Sequence, residues 1–433
     1  MARRRRWAIL AVGTLSQAAT CSFLYGIPML VPALRRDESL SLFGASLLVS
    51  APMAGLLLTL IAWGAAADRR GERVVIVTGV GIAAGALVLA AVLPGPALTA
   101  ILLALAGAGG SSVNAASGRV VMGWFPVTER GLAMGLRQTA QPLGVAVAAL
   151  VLPTLADHVG PRHALLFPAA LCGLATLAVW LVVVDPTRPP RRAGQASAAS
   201  PYRGSRRLGR VHLASALLVV PQFAVATFTL VYLVGQRGWD SAAAGRLIFG
   251  FQFAGALGRI ASGVWSDRVA SRLRPMRQLA VMSAGLMIAL SLGALWHQWW
   301  IVLAFGFGAV VTVADNGLGY TSVAELAGVE WSGRALGVQN TGQNLAAVAT
   351  APLLAAVIGQ TRYALAFAVV AVFPLLAVLA TPVNSERVGA EQVGEERVGT
   401  EQVGSENLGG GGSDLLELSP TEPEHHPRQP RTG

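Results

Sequence analysis

The chain has 433 residues, 54% of them hydrophobic and only 13% charged, with a formal net charge of +11 and a mean hydropathy of +0.57. Soluble domains carry about 25% charged residues, so an ordinary soluble enzyme or binding module is excluded. The positive charge does not indicate nucleic acid either. The arginines stand in short loops between apolar runs, the pattern that orients membrane proteins.

The first run, Trp7 to Leu34, follows Arg3 to Arg6 and holds no charge until Arg35. It exceeds the apolar stretch of a signal peptide and suits a spanning helix of about 20 residues. Eleven further runs follow. The predicted spans are 7–34, 39–67, 74–93, 97–124, 131–156, 164–184, 211–235, 242–266, 278–296, 299–324, 335–358 and 363–383. Breakers such as Pro94-Gly95-Pro96, Phe125-Pro126 and Gly160-Pro161 separate them. The expected architecture is an all-α polytopic membrane protein with about twelve transmembrane helices. It divides into a six-helix bundle over 1–184, a Pro-, Ser- and Arg-rich linker over 185–210 and a second six-helix bundle over 211–383. A tail over 384–433 carries a five-residue repeat from Val388 to Gly412 and is expected to be disordered.

Counted by side, twenty arginines fall with the N-terminus and five on the opposite face. The asymmetry places both termini in the cytoplasm. Cys21 and Cys172 lie inside apolar runs, and no histidine pair has metal-binding spacing, so neither a disulfide framework nor a metal site is expected. No cofactor is expected. The absence of a P-loop string argues against an ATPase, and no nucleophile–base–acid arrangement suggests an enzyme.

The two halves repeat each other. Gly64-x-x-x-Asp68-Arg69-Arg70-Gly71-Glu72-Arg73 returns as Gly263-x-x-x-Asp267-Arg268-x-x-x-Arg272, and Ala133-x-Gly135-x-Arg137-Gln138-Thr139-x-Gln141 returns as Ala335-x-Gly337-x-Gln339-Asn340-Thr341-x-Gln343. Two matches at nearly one offset indicate halves of common parentage.

The string after span 2, with its weaker copy after span 8, resembles the signature loop of the major facilitator superfamily, over roughly residues 7–383. Glu72 and Ala270 depart from the usual pattern. The resemblance implies a twelve-helix transporter fold of two pseudo-symmetric bundles, usually monomeric. It also places Asp68 opposite the start of span 11 near Gly333 and Arg334, and Asp267 opposite the start of span 5 near Arg130. A carboxylate at a helix N-terminus meets the positive end of its dipole. Gly64, Asp68, Arg69, Arg73, Asp267, Arg268, Arg130 and Arg334 are thus the candidate gating set, against the plainer reading of a solvated turn.

Ionisable groups inside spans are functional candidates. Arg119 in span 4 shares a face with Ser112; it is read either as an anion ligand or as an arginine reaching the interface. Arg259 in span 8 is read first as a gate residue, Arg137 as a structural bond near the gate and Arg246 as an interfacial residue. Asp315, near the middle of span 10, is the candidate for proton coupling, with Asn316 beside it and Asn114 as that residue's repeat mate. The candidate solute ligands are Arg119, Ser112, Asn114, Asn316, Tyr25 and Gln222. Gln17, Tyr232 and Tyr320 are further residues able to line a cavity.

The expected function is secondary active transport of a small solute by alternating access. The solute is read as an organic or inorganic anion taken up by proton symport, because arginines outnumber acids inside the spans and because Trp124-Phe125-Pro126 through Gly135 resembles anion-transporting members. Two rivals stand beside it: proton-coupled efflux of drugs or metabolites, and a transporter-like sensor. The lysine-free composition suggests a GC-rich bacterial source and its plasma membrane. The expected partners are the bilayer, a small molecule and protons, with no nucleic acid.

Overall fold

The computed structural model describes residues 2–30, 33, 34, 36, 42–186, 200–203, 205–358 and 362–383. Every regular element among them is helical. Among the described residues twelve helices are long and apolar enough to cross a membrane, and the chain is a multi-pass membrane protein. The tail over 384–433 and most of the linker lie outside the described residues.

Apolar length sets the spans. A helix rises about 1.5 Å per residue, so a hydrocarbon core of about 30 Å needs about 20 residues. Span 2 (Leu42–Arg70), span 4 (Pro96–Trp124) and span 7 (Arg207–Gly235) each have 29. Span 1 begins earlier than its apolar run, at Ala2, and its α-helix ends at Leu24; a 3-10 turn, Ile27–Leu30, continues it. Outward faces carry leucines such as Leu58 and Leu150, 84% and 78% exposed. Such residues at such exposure belong against lipid.

Inward faces carry small residues, because backbones that touch leave no room for Cβ atoms. Spans 2 and 4 illustrate it: a Cβ on Gly55 would stand 1.8 Å from the Ala104 carbonyl oxygen, and one on Gly107 would stand 1.9 Å from that of Pro52. The start of span 3 (Glu72–Val92) is fixed by Asp185, which accepts from the backbone N–H of Glu72 and of Arg73 at 2.8 and 2.9 Å. Gly71 makes room for that carboxylate with a φ of 94°, a conformation costly for any other residue.

Two spans expected to be continuous are broken. Span 5 is Arg130–Arg137 followed by Ala140–Val159. The carbonyl of Gln138 would take its helical bond from residue 142, but Pro142 has no N–H. Span 10 is Ile301–Ala314 followed by Asn316–Ala327, interrupted at Asp315. There Ser262 of span 8 (Ser241–Arg268) donates to the Ala314 carbonyl at 2.6 Å, an insertion that disturbs the ladder.

Among the described residues three apolar cores hold the bundle. One joins residues of spans 1 to 6 and another residues of spans 7 to 12. The third mixes both sets, bringing Leu10, Val121, Phe125 and Met134 onto Leu208, Leu273, Leu318 and Leu336. It lies at the end of the bundle that carries the signature loops.

Candidate functional site

A cavity of about 70 Å³ lies where the two halves meet. Its wall contains nine carboxamides: Gln17, Asn114, Gln138, Gln141, Gln222, Asn316, Asn340, Gln343 and Asn344. Tyr25, Tyr320, Phe223 and Cys21 join them, and among the described residues no charged side chain lines it. Polar groups inside a membrane are costly unless bonded to one another, and most of these are. Gln17 donates to Asn114 Oδ1 at 3.0 Å, and Asn316 to Gln222 Oε1 at 2.9 Å. The two pairs are repeat mates, spans 1 and 4 in one half and spans 7 and 10 in the other. Span 11 (Ser332–Ile358) closes the ring: Asn340 accepts from the Tyr320 hydroxyl at 2.6 Å.

Three buried charges stand behind this neutral wall, toward the signature loops. Arg137 is 1% exposed, Asp315 2% and Arg259 6%. Arg137 donates to Ser117 Oγ at 2.8 Å, to Gln138 Oε1 at 2.8 Å and to the Asn114 carbonyl at 3.3 Å, and lies over the Tyr320 ring at 5.3 Å. Arg259 donates across the halves to the freed Gln138 carbonyl at 2.9 Å. Arg259 and Asp315 are near enough to feel each other's charge.

Beyond them the halves cross twice. A Cβ on Gly64 would stand 2.2 Å from the Gly333 carbonyl oxygen, and one on Gly263 would stand 2.2 Å from that of Gly131. The symmetry of the sequence repeat thus reappears as two glycine-on-glycine crossings, span 2 on span 11 and span 8 on span 5. At each crossing an aspartate holds the facing helix start. Asp68 accepts from the backbone N–H of Gly333 and Arg334 at 2.8 and 3.0 Å, and from Arg334 Nε at 3.1 Å. Asp267 accepts from the backbone N–H of Gly131 and Leu132 at 2.9 and 2.8 Å. These are carboxylates on orphan amides at the positive end of a helix dipole.

The supporting ion pairs are reversed between the halves. Arg119 of span 4 binds Asp68 and also Glu72 of the loop, the latter at 2.8 Å. In the other half the loop supplies the arginine: Arg272 meets Asp267 at 2.5 Å and Glu325 of span 10 at 3.5 Å. This assigns Glu72, the departure from the usual loop, a partner of its own.

Several sequence expectations are corrected by these positions. Arg119 does not line the cavity, because its guanidinium is engaged by two carboxylates. Ser112 does not line it either; it faces span 3, its hydroxyl 2.1 Å from where a Gly79 Cβ would stand. Arg130 does not bond Asp267; it donates to the carbonyls of Phe125 and Met122 at 3.1 Å and approaches Glu325 at 3.5 Å. Arg73 turns away to the Trp180 carbonyl at 2.6 Å, and Arg69 and Arg268 are exposed. Tyr232 packs on Phe305 and Tyr363, away from the cavity. The structure brings Asn114, Asn316, Tyr25 and Gln222 to the cavity wall. Sequence reasoning missed Gln138, Gln141, Asn340 and Gln343 there. Their signal was present as amides three residues apart, in corresponding places of spans 5 and 11.

Residues 10–351 match the profile of the Major Facilitator Superfamily. The uncharacterized MFS-type transporter Rv2994 of Mycobacterium tuberculosis is 45% identical over 380 residues, which cover 88% of this chain and 85% of that protein. More distantly, the probable galactarate/D-glucarate transporter GudP of Escherichia coli is 24% identical over 296 residues, 60% of this chain and 66% of that one. Among solved structures, FucP in the outward conformation superposes with a TM-score of 0.65 at 16% identity, covering 85% of this chain and 98% of that one. The fold, the repeat and the sequence match agree, and the chain belongs to the major facilitator superfamily of membrane transporters.

Proposed function

We propose that this protein is a secondary active transporter that moves a small anionic, hydrogen-bonding solute by alternating access, in symport with protons. The observation that carries the reading is the cavity: a neutral carboxamide wall backed by two buried guanidiniums and one carboxylate. Carboxamides suit a solute rich in hydroxyl and carboxyl oxygens. The charges behind the wall sum to one positive with Asp315 ionised and two with it protonated. The potential in the cavity therefore favours an anion.

The same arrangement gives proton coupling a physical route. A proton on Asp315 removes the one negative charge behind the wall and strengthens anion binding. By linkage, a bound anion strengthens protonation. Solute and proton are then carried together. The amide lining, with no acidic side chain among the described residues that form it, favours an anion over efflux of lipophilic cations. The name of the distant relative GudP, a probable carrier of sugar diacids, supports the same class. With both termini in the cytoplasm, as the arginine asymmetry indicates, the two glycine crossings close the inner face, and the cavity is that of an outward-facing transporter in a bacterial plasma membrane. Asp68 and Asp267, with Arg119, Arg334, Arg272 and Arg130 around them, are the inner gate, and their bonds break when the protein opens inward.

Thermal stabilisation of the purified protein tests the solute class. The panel is D-glucarate, galactarate, D-gluconate, neutral sugars, amino acids and lipophilic cations. A saturable upward shift with a carboxylate supports the reading. Stabilisation by lipophilic cations alone sinks it and promotes efflux.

A further inference from the structure

Resting on that anion reading, we infer that Gln138 is the residue that selects for a carboxylate on the solute, by offering it an oriented amide N–H donor. A free glutamine amide can turn either end toward a ligand. This one cannot. Its Oε1 accepts from Arg137 Nη1 at 2.8 Å, and a guanidinium only donates. The oxygen is thus held toward Arg137, and Nε2 is left for the cavity that Gln138 lines. No protein group accepts from Nε2 among the described residues.

The main chain is held as firmly. Pro142 leaves the Gln138 carbonyl without its helical donor, and Arg259 of the other half takes it at 2.9 Å. One residue is therefore bonded by cations from both halves, through its side chain and through its backbone. The side-chain bond draws electron density toward Arg137 and sharpens Nε2 as a donor, while the backbone bond to Arg259 fixes where the residue stands. The neighbours agree in sense. Asn114 Oδ1 is occupied by Gln17 and Gln222 Oε1 by Asn316, so both amide nitrogens remain for the cavity. Three donors without a competing acid suit an oxyanion and oppose an ammonium group. Arg137 and Arg259 act on the solute through Gln138; they are its positioning residues.

The test uses the full chain in lipid nanodiscs and compares matched probes that differ only in carboxylate against primary alcohol: D-gluconate with one carboxylate and D-glucarate with two, each against D-glucitol, and galactarate with two against galactitol. Dissociation constants are measured for the wild type and for Gln138→Leu, Gln138→Glu and Gln138→Asn. The expected result is a loss of roughly tenfold or more in sugar-acid affinity for Gln138→Leu, with alditol affinity within about threefold of wild type. Gln138→Glu weakens the acids further, since it sets a second carboxylate against them. Gln138→Asn keeps a shortened donor and part of the preference. If Gln138→Leu does not fold, the ratio of acid to alditol affinity in the other two decides. Equal weakening of acid and alditol, or an unchanged ratio, overturns the assignment of Gln138 while the anion reading stands. A wild type that binds none of the acids overturns both.

Discussion

A guanidinium buried in a membrane span has to be met by an acceptor, and at Arg119 it is met by two carboxylates. The Arg119 and Asp68 side chains are 3% and 1% exposed. Removing one partner of such a pair leaves the other charge buried, at a cost of about 3–5 kcal/mol. Arg119→Leu is therefore expected to destabilise the closed inner face by that order, seen as a lower melting temperature. Arg119→Lys is expected to lose much of the same contact, because lysine lacks the planar fork that reaches two acids. Asp315 gives a prediction of opposite character. Its protonation raises the positive charge behind the cavity, so anion affinity should rise as pH falls through its titration and weaken as pH rises. In Asp315→Asn the group stays neutral, and affinity should stay high and flat across that range. A titration of anion binding against pH in both proteins checks it; a wild type without pH dependence contradicts the coupling role.

At the scale of elements, the two glycine crossings carry the closure in the proposed cycle. A side chain at Gly131 would stand 2.3 Å from the Gly263 carbonyl oxygen and one at Gly64 2.2 Å from that of Gly333, so neither helix can stay where it is once alanine is introduced. Gly64→Ala or Gly131→Ala is expected to part the crossing and shift the population toward inward-open. The chain offers its own reporter: Cys21 lines the cavity and Cys172 is buried in span 6. In a Cys172→Ser background, labelling of Cys21 by an impermeant maleimide should move from the outer face in the parent to the inner face in the alanine variants. The break in span 5 has a similar test. Pro142→Ala restores an N–H for the Gln138 carbonyl, competes with Arg259, and is expected to weaken anion binding without lowering stability.

The elements also show what the sequence made legible. The twelve spans were readable because a bilayer demands about 20 apolar residues in a row, and the signature strings at Asp68 and Asp267 were readable because they recur. Arg119 was not readable as the partner of Asp68 and Glu72. Its depth, about 7 Å from the end of span 4, fits either a cavity or a gate, and only the position of Glu72 across the helix decides. Ser112 failed for a related reason: a shared helical face fixes direction relative to Arg119, not which neighbour lies there. The cavity amides of spans 5 and 11 were visible as a pattern but not as a wall, because the break at Gln138 turns span 5 locally and the break at Asp315 turns span 10 beside span 11. Pro142 announced the first break. No residue of comparable strength announced the second.

For the molecule as a whole, the two halves share a third apolar core at the end that carries the signature loops, which under the proposed function is the end that opens for release inward. That core is the energetic opponent of transport. The bound solute and proton have to lower the barrier to parting it, which requires that they bind the state in which it parts more tightly than the outward-facing one. Gln138 is placed to sense both, since its carbonyl bond to Arg259 spans the halves and lies between the cavity and the crossings. The most direct measurement is uptake of a sugar acid, D-glucarate or galactarate, into proteoliposomes under an imposed pH gradient, acid outside. The expected result is accumulation above the external concentration that collapses with a protonophore, with Asp315→Asn exchanging the solute across the membrane but failing to accumulate it. Absence of carboxylate uptake, or accumulation that persists without a proton gradient, would contradict the account.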